Sequence, residues 1–196
     1  IKMPFYGEGL DGLLRARSGS LSGIVNGIDY DEYNPETDEM LPHKYTPITF
    51  RKLKGKNKTA LQAQLGLEQN EKKFMIGLIS RLTDQKGLDL IACVMDEICA
   101  EDVQFVILGT GDPKYENMFR HYAWKYQGRV SANIYYSNEL SHRIYGACDA
   151  FLMPSLFEPC GLSQLMSLRY GTVPIVRETG GLKDTVQAYN EYESTG

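Results

Sequence analysis

Two cations stand five residues apart, directly after a short apolar run. Arg81 and Lys86 flank the sequence LTDQ. An arginine guanidinium binds phosphate oxygens in pairs, whereas a lysine ammonium acts as a point charge. Beside a helix start, whose free N–H groups also attract anions, the two cations could hold a diphosphate. The spacing fits two hydrated surface cations as well, because short motifs are weak evidence.

Glycine-rich turns after two other apolar runs offer further contacts for a ligand. Gly109 and Gly111 lie in the sequence GTGD, where the missing side chains allow a ligand to approach the backbone. Thr179, Gly180 and Gly181 precede a helical pattern, so their N–H groups could face an anion. The alternatives are a plain turn at GTGD and an ordinary helix cap made by the threonine.

A carboxylate, an arginine and a tyrosine complete this set of polar residues. Glu158 precedes Pro159 and a helical pattern, where it could hold a sugar hydroxyl or only complement the helix dipole. Arg177 stands two residues before the threonine-glycine turn. Tyr136 follows a third apolar run and could stack on a purine, although most aromatic residues at strand ends belong to the core.

A regular alternation of strands and helices positions these residues. Short apolar runs predict buried strands over 73–80, 103–108, 130–136, 150–154 and 173–176. Helical patterns follow at 87–100, 113–124, 139–147 (capped by Ser137 or Asn138), 160–170 and 182–188. The alternation predicts an α/β fold, a Rossmann-like doubly wound parallel sheet. Such sheets bind ligands at the carboxyl ends of their strands, where all of these polar residues stand.

The first seventy residues carry weaker signals. Residues 1–35 are rich in Gly, Asp, Asn and Ser, and the segment 31–58 is interpreted as a connector that contributes little to the core. Asn57 is expected to cap a helix over 58–65 that Gly66 ends.

The composition excludes several classes of protein. The chain has 196 residues, a net charge of -4 and 42% hydrophobic residues, so nothing global favours nucleic acid or an anionic membrane as a partner. No apolar run approaches the ~18 residues that a membrane span needs. The four cysteines form no Cys-x-x-Cys pair, which favours reduced thiols in a cytosolic protein. The three histidines are scattered, and no metal site is expected.

Four longer strings resemble bacterial glycogen synthases and plant starch synthases. They are LSGIVNGID (21–29), ISRLTDQKGL (79–88), EPCGLSQ (158–164) and RYGTVPIVRETGGLKDTV (169–186). The resemblance covers nearly the whole chain and is most specific in the pairing of EPCGL with TGGLKDTV. It implies two facing Rossmann-like domains with a cleft between them. The family transfers glucose from ADP-glucose to the 4-hydroxyl of an α-1,4-glucan, with retention at the anomeric carbon.

The resemblance also implies roles for most of these residues. Arg81 and Lys86 would contact the diphosphate and stabilise the leaving ADP, and Glu158 would lie near the donor glucose. The remaining contacts would be Tyr136 near the adenine, Thr179 and Gly180 near the phosphates, and the amides around Cys160, Gly161 and Leu162 on the sugar hydroxyls. Related retaining transferases carry a second Glu where this chain has Met166, so no second carboxylate is assigned. No cofactor is implied beyond the donor substrate and its product ADP.

The sequence departs from the family pattern in one loop. The Lys-x-Gly-Gly-Leu loop of the family's amino-terminal domain does not occur here. Residues 1–35 are therefore expected to be the end of that domain and a linker, and 36–196 a carboxy-terminal nucleotide-sugar domain that lacks its last helices. Alone, it is expected to bind nucleotide without catalysis, in a bacterial cytoplasm or a plastid.

Three other functions compete with glucan synthesis. The alternatives are a transferase for UDP- or GDP-sugars, a non-enzymatic nucleotide- or glucan-binding module, and a sugar epimerase. The missing dinucleotide fingerprint disfavours the epimerase.

Overall fold

A five-stranded parallel sheet forms the centre of the molecule. The computed structural model describes residues 2–194. The strands are β1 Phe74–Ile79, β2 Val103–Leu108, β3 Val130–Asn133, β4 Ala150–Met153 and β5 Val173–Val176. They lie in the order β3-β2-β1-β4-β5, and each neighbouring pair is parallel. The chain moves outward from β1 to β3 and then returns to the other side of β1, so the order reverses between β1 and β4. This is the crevice in which such sheets bind ligands, and the predicted fold class is confirmed.

The helices cover both faces of this sheet. They are α1 Pro4–Gly7, α2 Asp11–Ala16, α3 Phe50–Leu65, α4 Leu88–Ala100, α5 Pro113–Lys125, α6 Asn138–Ala147, α7 Ser163–Arg169 and α8 Gly180–Thr185. On one face, side chains of α4 and α5 such as Met95 and Phe119 are fully buried. On the other face, Leu61 and Ile144 pack from α3 and α6. Each fully buried side chain of this size contributes roughly 1.5–3 kcal/mol to folding. Among the helices that the structure describes, none is long and apolar enough to cross a membrane.

Local sequence signals locate most of the element boundaries. The expected strands β2 and β5 match the observed bounds residue for residue. Ser137 caps α6 as expected, since its hydroxyl accepts a hydrogen bond from the N–H of Leu140 at 3.1 Å. Gly66 ends α3 in the left-handed conformation, with φ 66°. The predicted helix over 160–170 was wrong at its start, because Gly161 also has a left-handed φ of 71° and the helix begins only at Ser163.

The interpretation of residues 31–58 as a connector with little core was wrong. Leu41 and Tyr45 are 5% and 3% exposed and pack in a core cluster with residues of β4 and α7. Helix α3 begins at Phe50, and Asn57 lies inside it rather than at its cap. The Asn57 side chain accepts from the N–H of His43 at 2.9 Å and donates to its carbonyl at 2.8 Å. These two bonds attach the irregular segment to the helix, which a reading of hydrophobic periodicity cannot detect.

A buried lysine joins α3 to the ends of two other helices. The Lys54 ammonium donates to the carbonyls of Tyr145 at 3.0 Å and Tyr170 at 3.1 Å. It also donates to the hydroxyl of Thr172 at 2.7 Å. These contacts satisfy carbonyl groups near the carboxyl ends of α6 and α7 that lack helical partners. Burial lowers the pKa of Lys54 to about 8.

We expect the free energy of unfolding to rise between pH 8 and pH 9. In this interval Lys54 keeps its proton in the unfolded chain, whose lysines titrate near 10.5, but loses it in the folded chain. Stability rises wherever the unfolded chain binds more protons, here by about 1 kcal/mol. Above about pH 9 the rise is opposed by Cys148, because burial raises its thiol pKa to about 12. Urea denaturation at each pH measures the effect. A Lys54→Met variant is expected to show no rise, and a flat profile in the unmodified chain would contradict the assignment.

Candidate nucleotide site at the carboxyl edge of the sheet

A cavity of about 420 Å³ opens at the carboxyl ends of β1, β2 and β4. It lies at the point where the strand order reverses. The predicted site residues that line it are Arg81, Lys86, Gly109, Tyr136, Glu158, Gly161 and Leu162. Those that do not line it are Gly111, Cys160, Arg177, Thr179, Gly180 and Gly181. Seven of the thirteen predicted site residues therefore line the cavity, and the other six lie outside its wall.

An ion pair joins the loops after β1 and β4 inside this cavity. The Lys86 ammonium lies 2.6 Å from Oε2 of Glu158, and the two side chains are only 17% and 12% exposed. The hydroxyl of Ser155 lies 3.4 Å from the same carboxylate oxygen. A hydrated surface lysine is therefore excluded for Lys86. A largely buried pair at a ligand crevice is a charged site held in fixed geometry.

The other cation of the first loop is placed differently. Arg81 is exposed, lines the same cavity, and makes no ion pair with a carboxylate among residues 2–194. Its guanidinium keeps all five N–H donors available for an anion. The cavity thus combines one paired lysine with one unpaired arginine.

Glycines bring the loops after β1, β2 and β4 into direct contact. A Cβ added to Gly87 would overlap the carbonyl oxygen of Pro154, and one added to Gly109 would overlap that of Ser80. Gly87 has a left-handed φ of 64° and directly follows Lys86. This close approach brings the lysine within reach of the loop after β4. Gly109 lines the cavity, whereas the N–H of Gly111 donates to Glu116 at 3.0 Å.

The turn of Thr179, Gly180 and Gly181, at the start of α8, supports the loop that carries Glu158. The N–H of Gly181 donates to the carbonyl of Glu158 at 2.9 Å. A Cβ added to Gly180 would overlap that same carbonyl oxygen, and one added to Gly181 would overlap the carbonyl oxygen of Cys160. Thr179 occupies the cap position of α8 but its side chain makes no capping hydrogen bond. Arg177 is exposed nearby. Phosphate contacts by this turn stay a prediction.

Tyrosines form the remaining side of the cavity. Tyr136 is 87% exposed and Tyr135 is 48% exposed, so neither ring belongs to the core. Tyr33 also lines the cavity, and its ring stacks on that of His142 with centroids 4.9 Å apart. His142 is fixed by Asp38, whose carboxylate lies 2.8 Å from Nδ1. Sequence reasoning missed Tyr33 because it lies in the segment taken for a connector.

Buried hydrogen bonds determine the ionisation state of Asp38, the carboxylate that holds His142 against Tyr33. Burial alone would raise the pKa of Asp38, but hydrogen bonds from His142 and Tyr170 lower it. The Tyr170 hydroxyl donates to Asp38 at 2.5 Å, and burial raises the pKa of that phenol. Asp38 is therefore a carboxylate at neutral pH. Within residues 2–194, no three His, Cys, Asp or Glu side chains gather in a way that could hold a metal ion.

Comparison with known proteins extends over the whole chain. It is 78% identical to a glycogen synthase of Lachnospira eligens and 58% identical to one of Clostridium acetobutylicum, each over all 196 residues. The chain spans 41% of the length of both relatives.

Solved structures give the same picture of the fold. The catalytic domain of starch synthase IV from Arabidopsis thaliana, bound to ADP and acarbose, superposes with a TM-score of 0.90 at 39% identity. That match covers 97% of this chain and 39% of the other. The Anabaena protein HepE, in complex with UDP-glucose, shares the fold at 19% identity with a TM-score of 0.62, over 86% of this chain and 42% of its own. The family model "Glycosyl transferases group 1" matches residues 62–196, which include nearly all of the cavity wall. The chain belongs to the group 1 glycosyl transferases.

Proposed function

We propose that this chain supplies the donor side of a glycogen synthase. The full enzyme would transfer glucose from ADP-glucose to the non-reducing end of an α-1,4-glucan, with retention of configuration. The observation that carries the proposal is the largely buried Lys86–Glu158 pair beside the unpaired Arg81, at the ligand crevice of the sheet. The names of the bacterial relatives support glycogen synthesis, and the ADP in the Arabidopsis structure supports an adenine nucleotide.

Each predicted site residue receives a role in this proposal. Arg81 and Lys86 bind the diphosphate, and Tyr136 lies against the adenine. Glu158 and the amides of Gly161 and Leu162 face the donor glucose. Gly109 allows the phosphates to approach the backbone. The predicted residues outside the cavity wall either contact the ligand at its edge or hold the loops in place. They are Gly111, Cys160, Arg177, Thr179, Gly180 and Gly181.

The mechanism follows from the chemistry of the leaving group. As the bond between glucose and ADP breaks, negative charge grows on the phosphate oxygen. Fixed cations aimed at that oxygen stabilise the transition state more than the bound substrate, which is what accelerates a reaction. The acceptor hydroxyl attacks from the face that ADP leaves, and a phosphate oxygen takes its proton. The configuration at the anomeric carbon is thereby retained.

Catalysis also needs an acceptor surface, which we assign to the remainder of the full enzyme. The cavity is partly open, and the chain spans only 41% of the length of its relatives. We keep residues 36–196 as the nucleotide-sugar domain and 1–35 as the end of the preceding domain and its linker. The proposed partners are ADP-glucose, the glucan and that preceding domain, with no cofactor. The proposed compartment is the cytoplasm, or a plastid in a plant.

We expect this chain alone to bind ADP weakly and to incorporate no glucose into glycogen. The dissociation constant is expected to be roughly 0.1–1 mM, because the diphosphate contacts lie here while the opposite wall does not. An NMR titration should move the amides of Gly109 and Tyr136. Arg81→Ala should weaken binding about tenfold, since charged hydrogen bonds contribute roughly 1.5–3 kcal/mol.

A matched variant separates this site from general charge effects. Lys125→Ala removes a cation from α5, where the ammonium pairs with Asp96 at 2.8 Å on the surface. It should leave the ADP affinity unchanged within about twofold. Chemical shift changes that leave Gly109, Tyr136 and the rest of the cavity wall unaffected would show that the nucleotide binds elsewhere.

A further inference from the structure

The side chain of Gln164 lies fully buried beneath the loop that carries Glu158. Its exposed fraction is 0%. Its Nε2 lies 3.0 Å from the carbonyl oxygen of Cys160 and 2.9 Å from that of Gly161. The hydroxyl of Thr185 lies 3.1 Å away. These contacts fix the orientation of the amide, because the reversed group would place an oxygen against two carbonyl oxygens.

By holding these two carbonyls, Gln164 also sets the direction of the next two N–H groups. In a planar trans peptide the C=O and N–H bonds point in opposite directions. Since the carbonyls of Cys160 and Gly161 face the buried amide, the N–H groups of Gly161 and Leu162 face away from it. Both of these residues line the cavity. Neither N–H group donates to an acceptor within residues 2–194.

Gln164 and Gly161 are packed so tightly that neither can change independently. Gly161 has a left-handed φ of 71°, and a Cβ at this position would overlap Oε1 of Gln164. Oε1 itself is buried and has no hydrogen-bond partner within the described part of the chain. Such an acceptor costs free energy that an apolar side chain of the same size would avoid. A role confined to filling the core therefore does not account for the amide.

We propose that Gln164 is a positioning residue for the donor sugar. It holds the two peptide units of residues 160–162 so that the N–H groups of Gly161 and Leu162 face the hydroxyls of the glucose. This inference rests on the proposed function, because the sugar of ADP-glucose is the ligand that it names. The nucleotide contacts of Arg81 and Lys86 do not depend on this amide.

A Gln164→Met variant of the full-length enzyme tests the proposal. Methionine keeps the length of the side chain and removes both N–H donors. We expect kcat/KM for ADP-glucose to fall about 10- to 100-fold, because misdirected hydrogen-bond donors lose their interaction with the substrate. The dissociation constant for ADP should change less than about twofold. A loss restricted to the sugar is the result that a merely structural role would not give.

The matched control is Ser167→Ala in the same helix. The Ser167 hydroxyl is fully buried and donates to the backbone carbonyl of Gln164 at 2.9 Å. Its removal deletes a buried hydrogen bond of α7 without removing a donor to the loop. We expect kcat/KM to stay within about twofold of that of the unmodified enzyme. This should hold even if Ser167→Ala lowers the melting temperature as much as Gln164→Met does.

Hydrogen–deuterium exchange of the unmodified full-length enzyme provides a second test that needs no variant. The amides of Gly161 and Leu162 should exchange more slowly with ADP-glucose than with ADP. Equal protection by both ligands, or an unchanged kcat/KM in folded Gln164→Met, would overturn the proposal. So would an equal loss of ADP and ADP-glucose affinity. If the unmodified enzyme transfers no glucose, the proposed function fails first; if it does and Gln164→Met transfers equally well, only this inference fails.

Discussion

Replacing Lys86 by alanine in the full-length enzyme is expected to lower kcat about 100- to 1000-fold. Lys86 is held 2.6 Å from Glu158 in a largely buried position. In the proposed mechanism it stabilises the charge that grows as ADP departs. Deleting one fixed donor of this kind typically costs that much. KM for ADP-glucose should change far less, because the interaction is made mainly in the transition state.

Two further variants define the charge at this position. Lys86→Arg keeps the cation but spreads it over a planar fork, so it should restore only part of the rate. Lys125→Ala, which breaks an exposed pair of similar length, should change kcat by less than about twofold. The measurement is kcat at saturating ADP-glucose and glycogen, with thermal unfolding monitored in parallel. A near-normal kcat in folded Lys86→Ala would show that this lysine has no part in the reaction.

Glu158→Gln is expected to lower kcat about 100-fold, and its effect should not add to that of Lys86→Ala. Removing one partner of a buried pair leaves the other charge without compensation, which typically lowers the folding stability by about 3–5 kcal/mol. We expect the same uncompensated charge to disturb the geometry of the site. In the double variant Lys86→Ala with Glu158→Gln, that uncompensated charge is gone. The double variant should therefore be no slower than the slower single variant, as for residues that act as one unit.

The four enzymes of this cycle should be compared at one pH and one glycogen concentration. If the two residues acted independently, their fold-reductions in kcat would multiply. The double variant would then be much slower than either single variant. Multiplied effects would mean that the ion pair seen at 2.6 Å is not a functional unit. The exposed pair of Lys125 and Asp96, at 2.8 Å, supplies the matched cycle on the surface. All three of its variants should keep kcat within about twofold.

Regular elements of this chain could be predicted because their signals are local. A buried parallel strand such as β2 is an uninterrupted apolar run, and the cap at Ser137 depends on a residue three positions away. The edge of the sheet that binds ligands follows from the alternation of strands and helices. Lys86 and Glu158 could thus be placed near one another, but their direct contact depends on the close approach at Gly87, which no local pattern encodes.

Irregular segments could not be predicted because long-range contacts determine them. Tyr33 and Asp38 look like solvent-exposed residues in a polar stretch, yet they contact His142 across more than a hundred positions of the chain. The start of α7 was misplaced because Gly161 takes a left-handed conformation that buried Gln164 supports. Helical periodicity continues through these residues in the sequence, so only the three-dimensional packing separates the loop from the helix.

The most direct test of the account is glucose transfer by the purified full-length protein. Glycogen is incubated with ADP-glucose, UDP-glucose or GDP-glucose labelled in the sugar, and incorporation is measured with Lys86→Ala alongside. We predict rapid incorporation from ADP-glucose, much slower incorporation from the other two donors, α-1,4 linkages in the product, and at least about 100-fold less product with Lys86→Ala. No incorporation from any donor, or incorporation that does not depend on Lys86, would contradict a donor site built on the Lys86–Glu158 pair.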